Sequence, residues 1–170
     1  FNEMKGAYSS PENLLARTIQ QSLFPKHIYG ADSGGDPANI TDLTYENFYA
    51  FWETYYHPSN SFIFFYGNDD PDMRLKLMEG YLKPYKKKKI KSAVPLVKPF
   101  SKPKKIEQAY IASEGEDLDK KHYLTVNWKL PDTSDPVLNL SFHILEHALI
   151  GTPASPLKKA LTDSGLGEDL

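Results

Sequence analysis

Three residues of the sequence have the types and spacing of a metal-dependent hydrolytic site. His143, Glu146 and His147 form the pattern His-x-x-Glu-His. Two histidines four positions apart lie on one face of a helix, where both can bind a zinc ion, and the glutamate between them can act as a general base. The pattern therefore indicates either a zinc site in this chain or a helix that only resembles one.

The surroundings of this motif favour the second interpretation. Asp135-Pro136 predicts a helix that runs to about Ile150, and at about 100° per residue the motif lies in a polar strip between two apolar stripes. A zinc site needs a third protein ligand, and the acidic residues downstream follow too closely for a second helix to return. Those residues are Asp163, Glu168 and Asp169. A self-contained zinc site at His143 and His147 stays open as an alternative.

A further acidic residue lies at the start of the chain. Glu3 stands among good helix formers in the sequence FNEMKGAYSSP, and Ser10-Pro11 has the form of an N-cap followed by proline at the first helical position. We therefore expect the chain to open on the end of one helix and to begin a second at Pro11. Taken alone, Glu3 is a surface carboxylate.

Five stretches in order resemble one family of peptidases. Residues 2–9 (NEMKGAYS) resemble the segment that carries the third zinc ligand in pitrilysin-type zinc metallopeptidases, which use an inverted HxxEH motif. The other four resemble the presequence protease/falcilysin branch of that family. They are YGADSGGDP from Tyr29, YYHPSN from Tyr55, FYGNDD from Phe65, and GTPASPL from Gly151 with the following SGLG.

The resemblance implies a metal site that this chain only partly supplies. Glu3 matches the zinc ligand, and the two histidines and the catalytic glutamate are expected upstream of Phe1, so the chain looks like an internal fragment. The implied cofactor is Zn²⁺, no catalytic residue is expected within the chain, and the isolated chain is predicted to be inactive. The helix with His143 and His147 resembles the corresponding helix of the family's second repeat, which is not expected to bind zinc.

The resemblance also implies a fold and an activity. The fold would be α+β, with pitrilysin/insulinase-like repeats whose helices pack on a mostly antiparallel sheet. Residues 1–98 would end the first repeat and residues 99–170 would begin the second. The parent would be a zinc metalloendopeptidase of the mitochondrial matrix or plastid. Its partners would be the rest of the parent chain and unfolded peptides such as cleaved presequences, hydrolysed by a zinc-activated water. The alternative is a non-catalytic peptide-binding scaffold of the same fold.

Composition limits the other classes. The 170 residues are 40% hydrophobic and 25% charged with a net charge of -2, which is typical of a globular chain and gives no overall attraction to nucleic acid. No cysteine is present, which excludes a disulfide framework and a thiol nucleophile. No apolar run approaches the length that spans a bilayer. We therefore expect neither a nucleic-acid partner nor a membrane partner.

Hydrophobic periodicity and turn residues predict the remaining elements. Helices are predicted over residues 11–23, 45–56, 136–150 and 156–164, with another from 71, and a loop over 31–39. Strands are predicted over residues 62–66, 106–112 and 122–130, the last two as a hairpin that opens a new sheet. His57 precedes a proline in a turn and is interpreted as structural. Residues 83–105, which include the run Lys86 to Lys89, predict a solvated linker rather than a basic binding patch.

Overall fold

The computed structural model describes residues 1–119 and 121–167, and in these residues regular structure is entirely helical. The chain forms two compact units, Phe1–Asn127 and Trp128–Leu170. The first unit contains α1 (Asn2–Ala7), α2 (Pro11–Leu23), α3 (Pro37–Ile40), α4 (Tyr45–Tyr55) and α5 (Pro71–Leu82), with 3-10 turns at Ile28–Gly30 and Pro58–Asn60. The second contains α6 (Pro136–Ile150) and α7 (Pro156–Ser164). Glu168 and Asp169 lie outside the described residues.

The helices begin where local capping signals predicted. The hydroxyl of Ser10 accepts the N–H of Asn13 at 3.3 Å, and Asp70 and Asp135 each accept two backbone N–H groups at the starts of α5 and α6. Each of these three caps is followed by proline, whose missing N–H costs nothing in the first turn of a helix. The predicted helices over 11–23, 136–150 and 156–164 are confirmed, and α4 ends one residue before its predicted end.

The predicted α+β fold is wrong for this chain, because the described residues contain no β-strand and no sheet. The segment 62–66 has the residue types of a buried strand, but Phe62 and Tyr66 expose 107% and 95% of their reference areas. A strand forms only when a neighbouring backbone takes up its N–H and C=O groups. Among the described residues, no backbone–backbone hydrogen bond joins this segment to another, so its β-forming side chains do not lead to a strand.

The predicted hairpin is also absent, although its two segments do meet. The Tyr110 and Tyr123 rings pack edge to face at 5.9 Å, and the Tyr110 hydroxyl donates to the carbonyl of Lys121 at 2.6 Å. These contacts use the two tyrosine side chains and one main-chain carbonyl, and no backbone–backbone hydrogen bond joins the described residues of the two segments. An isolated two-stranded ribbon is marginal in water. Tyr123 instead donates its hydroxyl to Glu12 on α2 at 2.9 Å.

The segment predicted as a loop over 31–39 contains a one-turn helix. Asp36 caps α3 by accepting the N–H of Ala38 at 2.8 Å. Gly35 has φ = 90°, a left-handed conformation that disfavours a side chain, and a Cβ there would lie 3.1 Å from the side chain of Ile40. The glycine therefore lets the chain turn tightly against α3.

The corner between α6 and α7 holds the most enclosed residue of the second unit. Ser155 precedes α7, but its hydroxyl turns back to accept the N–H of Thr152 at 3.1 Å instead of capping the helix. It is 6% exposed, whereas every apolar side chain in the described part of the chain is at least partly exposed. No helix among the described residues has the length and apolar character needed to cross a membrane.

Candidate functional site

Glu3, the predicted metal ligand, lies in the first turn of α1. Its side chain is exposed, and within residues 1–119 and 121–167 it makes neither a hydrogen bond nor an ion pair. The described residues bring no three histidine, aspartate or glutamate side chains into an arrangement that could hold a metal ion. A zinc ion needs at least three protein ligands, so the described part of the chain does not fit that ion by itself.

A compact set of contacts fixes the end of α1. The guanidinium of Arg17 stacks over the Tyr8 ring, with Cζ 3.1 Å from the ring centroid. Asn13 donates its amide to the carbonyl of Ala7 at 3.0 Å. An isolated helix shorter than about 12 residues is marginal in water. The six residues of α1 therefore depend on these contacts from α2 for their position.

The loop before α3 also packs against α1 and the Tyr8 side chain. The backbone of Gly34 approaches Met4 so closely that a Cβ would lie 2.7 Å from the methionine sulfur. The Tyr8 hydroxyl is enclosed near Asp32, and burial followed by this carboxylate raises the pKa of Tyr8 above its ordinary value. One guanidinium nitrogen of Arg17 is also enclosed, without a hydrogen-bond partner among the described residues.

The His-x-x-Glu-His motif lies near the C-terminal end of α6. His143, Glu146 and His147 are all exposed, and they have no further histidine or carboxylate arranged with them as a metal site in the described chain. The backbone at Gly151 is so close to His147 that a Cβ would lie 2.3 Å from its Nδ1. Whether the two histidines bind metal stays a prediction that experiment must test.

The basic segment makes hydrogen bonds to α4 and to the turn after it. The backbone N–H of Lys88 donates to the Ser59 hydroxyl at 3.2 Å, and its ammonium donates to the carbonyl of Glu53 at 3.2 Å. The Ser92 hydroxyl donates to the side chain of Asn60 at 2.5 Å. Residues 88–95 thus dock along α4 and the turn after it, and the assignment of residues 83–105 as a linker between repeats stays a prediction.

Two histidines organise the turns beside this docked segment. His57 and His27 each start a 3-10 turn, where Nδ1 accepts a backbone N–H from Ser59 at 3.0 Å and from Tyr29 at 3.1 Å. Nδ1 is thus an acceptor, and Nε2 carries the proton in the neutral ring. Nε2 of His27 donates to the carbonyl of Pro95 at 2.8 Å. His57 was predicted to be structural, and its Nδ1 contact supports that role, while His27 was missed.

These turns, α4 and the docked segment enclose an open groove of about 970 Å³. Aromatic and aliphatic side chains form most of its walls, and Lys26 and Lys91 also line it. The sequence did not reveal this groove, because its walls come from segments up to 69 positions apart. The available signal was the repeated histidine before a tight turn, at residues 27 and 57.

Comparison with known proteins places the chain in a family. A family model described as the peptidase M16 inactive domain matches residues 42–170. Presequence protease 1, chloroplastic/mitochondrial, of Arabidopsis thaliana is 48% identical over 173 residues, which cover 100% of this chain and 16% of that protein. Protein HypA of Clostridium perfringens is 45% identical over 169 residues, 99% of this chain and 17% of that protein.

A mitochondrial presequence protease from Mus musculus is 37% identical over 171 residues, 99% of this chain and 16% of that protein. The chain thus spans only 16–17% of the length of these three relatives. The resemblance seen in the sequence motifs is confirmed by these matches along the whole chain. The chain belongs to the peptidase M16 family and is similar to a segment of its presequence proteases.

Proposed function

We propose that this chain is one segment of a zinc metalloendopeptidase that degrades unfolded peptides, including cleaved targeting presequences. The observation that carries this proposal is the 48% identity, along the whole chain, to a protein named as a presequence protease. The Arabidopsis and mouse relatives are named as chloroplastic/mitochondrial and mitochondrial proteins, which supports a mitochondrial or plastid location for the parent protein.

Glu3 is the residue through which this segment contributes to the metal site. Its carboxylate is exposed and makes no hydrogen bond or ion pair with other described residues, so it is available to a metal whose two histidine ligands are expected outside the 170 residues. The described residues alone do not fit zinc, and the isolated chain is therefore expected to have no peptidase activity.

The test is zinc binding by the full-length protein that contains this segment. Outer-shell partners of zinc already contribute about 10–100-fold to affinity, so Glu3→Gln is expected to weaken zinc binding by at least about 100-fold. Glu46→Gln removes another exposed carboxylate, in the first turn of α4, and should leave the affinity unchanged. Equal zinc affinity in both variants would refute the role of Glu3.

One observation favours a second function. The matched family model is described as an inactive domain, which agrees with a segment that encloses or binds peptides without performing chemistry. If the full-length protein binds presequence peptides with no zinc-dependent cleavage, this scaffold function replaces the first proposal. Cleavage that is abolished by chelation and restored by zinc would exclude it.

A further inference from the structure

Tyr8 joins α1 to two other segments of its unit. Its ring lies under the guanidinium of Arg17 on α2, with Cζ 3.1 Å from the ring centroid. Its hydroxyl is enclosed and lies near Asp32 in the loop before α3. Most aromatic side chains of the described residues are exposed, whereas Tyr8 is half-buried and is held from two sides by residues of this chain.

A second contact involves the same face of α1. The backbone of Gly34 approaches Met4 so closely that a Cβ would lie 2.7 Å from the methionine sulfur. Tyr8 directly follows α1 and keeps a helical conformation. At about 100° per residue, Met4 and Tyr8 are therefore only about 40° apart around the helix. Together they form the face by which α1 packs on α2 and on the loop.

Glu3 lies outside this packed face. It is turned about 100° from Met4 and about 140° from Tyr8 around the helix, and its side chain is exposed. Because a side-chain tip lies about 5–6 Å from the helix axis, rotating α1 by about 20° would move the Glu3 carboxylate by about 2 Å. A zinc–carboxylate bond is itself only about 2.0–2.2 Å long. The packing of Met4 and Tyr8 therefore controls where the Glu3 carboxylate lies.

The ring of Tyr8 is the main restraint on this rotation within the described chain. The six residues of α1 are too few for a stable isolated helix, since helices shorter than about 12 residues are marginal in water. Asn13 donates to the main-chain carbonyl of Ala7, and the thioether of Met4 is flexible. A flat ring stacked on Arg17 restrains the helix more than either of these contacts.

We propose that Tyr8 is a positioning residue for Glu3. Its ring, packed between Arg17 and the loop at Asp32, fixes the rotation of α1 and so the direction of the Glu3 carboxylate. This role rests on the proposed function, in which Glu3 binds the metal. Tyr8 does not bind the metal and acts only through Glu3. The stack uses the ring, so phenylalanine should replace tyrosine in this role.

The experiment measures zinc affinity of the full-length protein by competition with a chelator. Tyr8→Ala is expected to weaken zinc binding about 10-fold, the lower end of the range for residues that act through a ligand. Tyr8→Phe keeps the ring under Arg17 and should bind zinc as tightly as the unmodified protein. The matched control is Tyr81→Ala, which removes an exposed tyrosine of α5 and should leave the affinity unchanged.

A double-mutant cycle with Glu3 separates positioning from general destabilisation. In the Glu3→Gln background, Tyr8→Ala should cause no further loss of zinc affinity, because no carboxylate remains to be positioned. A purely structural role would instead multiply the two losses. A further loss of about 10-fold in that background, or unchanged affinity in Tyr8→Ala alone, would overturn the proposal.

Hydrogen exchange of the zinc-free full-length protein gives a readout that does not depend on the metal. The N–H of Lys5 donates to the carbonyl of Phe1 at 3.0 Å. It should exchange faster in Tyr8→Ala and at the unmodified rate in Tyr8→Phe. Tyr8→Leu, which keeps apolar bulk but loses the flat face under Arg17, serves if Tyr8→Ala does not fold. Unchanged exchange at Lys5 in the folded variant would refute the restraint by Tyr8.

Failure of this proposal can be told apart from failure of the proposed function. If Glu3→Gln weakens zinc binding and Tyr8→Ala does not, only the role of Tyr8 is refuted. If Glu3→Gln leaves the affinity unchanged, the metal role of Glu3 is refuted, and the role of Tyr8 falls with it.

Discussion

The stack of Arg17 on Tyr8 is expected to couple α1 to α2, and a double-mutant cycle can measure that coupling. A guanidinium over an aromatic ring contributes about 1 kcal/mol when it is partly shielded from water. One guanidinium nitrogen is enclosed without a partner among the described residues, and such a group costs about 1 kcal/mol or more. The two terms oppose each other, so Arg17→Ala alone should change the stability of α1 by less than about 1 kcal/mol.

The double-mutant cycle removes this ambiguity. The cost of the enclosed nitrogen contributes to the effect of Arg17→Ala both with and without the Tyr8 ring, so it cancels from the interaction free energy. Arg17→Ala, Tyr8→Leu and the double variant should give an interaction free energy of about 1 kcal/mol, roughly a fivefold change in an equilibrium constant. The assay is amide hydrogen exchange of Lys5 and Tyr8, whose N–H groups donate to Phe1 and Met4 within the α1 region at 3.0 and 2.9 Å.

The matched control is Arg74→Ala. Arg74 also lies over an aromatic ring, with Cζ 5.0 Å from the centroid of Phe65, and it pairs with Asp69 at 2.9 Å. Its loss should leave exchange at Lys5 and Tyr8 unchanged. An interaction energy below about 0.3 kcal/mol in the cycle would show that the stack does not hold α1, and that the contact from Asn13 suffices.

Two further predictions concern acid sensitivity and metal content. Hydrogen bonds to the Glu12 carboxylate, first from the Ser10 hydroxyl, then from its own backbone N–H and from Tyr123, hold the pKa of Glu12 below its ordinary value of 4.5. This contact therefore favours the folded chain at neutral pH, and its contribution is lost as the pH falls below about 4.5 through the lower folded pKa. The NMR shifts of the Tyr123 ring should report that loss, and Glu12→Gln should show no such acid transition. An identical transition in Glu12→Gln would contradict the assignment of the transition to Glu12. After dialysis, the 170-residue chain is expected to retain no stoichiometric zinc, since a third ligand is absent beside His143 and His147 in the described residues. One zinc per chain, lost in both His143→Ala and His147→Ala, would instead establish the self-contained site.

Helix positions could be predicted because their signals are local. Ser10, Asp70 and Asp135 each sit one residue before a proline, and each accepts an N–H from the turn that follows. Every interaction that fixes these starts lies within three residues of the cap, so a short stretch of sequence contains the whole cause. The single turn of α3 was missed because Gly34 and Gly35 dominated the local composition, although Asp36-Pro37 carries the same capping signal.

Strands could not be predicted in the same way, because a strand is a property of two segments. Residues 62–66 have the side chains of a strand, yet Phe64 is 86% exposed and no backbone–backbone hydrogen bond reaches them from the other described residues. Sequence preference for β structure reports how side chains pack on a pleated sheet. It does not show whether a second segment is present to pair with the first and form that sheet. The same limit applies to Tyr110 and Tyr123, whose rings meet without a backbone ladder.

The docked basic segment shows which contacts composition does not reveal in a stretch rich in lysine and proline. A run of lysines and prolines describes side chains that prefer water, and the lysines of residues 86–89 are indeed exposed. Most of the contacts that hold the segment use other groups, which are the N–H of Lys88, the hydroxyl of Ser92 and the carbonyl of Pro95, although the Lys88 ammonium also donates to the carbonyl of Glu53. Their partners are Ser59, Asn60 and His27. A basic segment can therefore keep its lysine side chains exposed while main-chain groups, the Ser92 hydroxyl and the Lys88 ammonium hold it in place, and this arrangement places Lys91 at the groove.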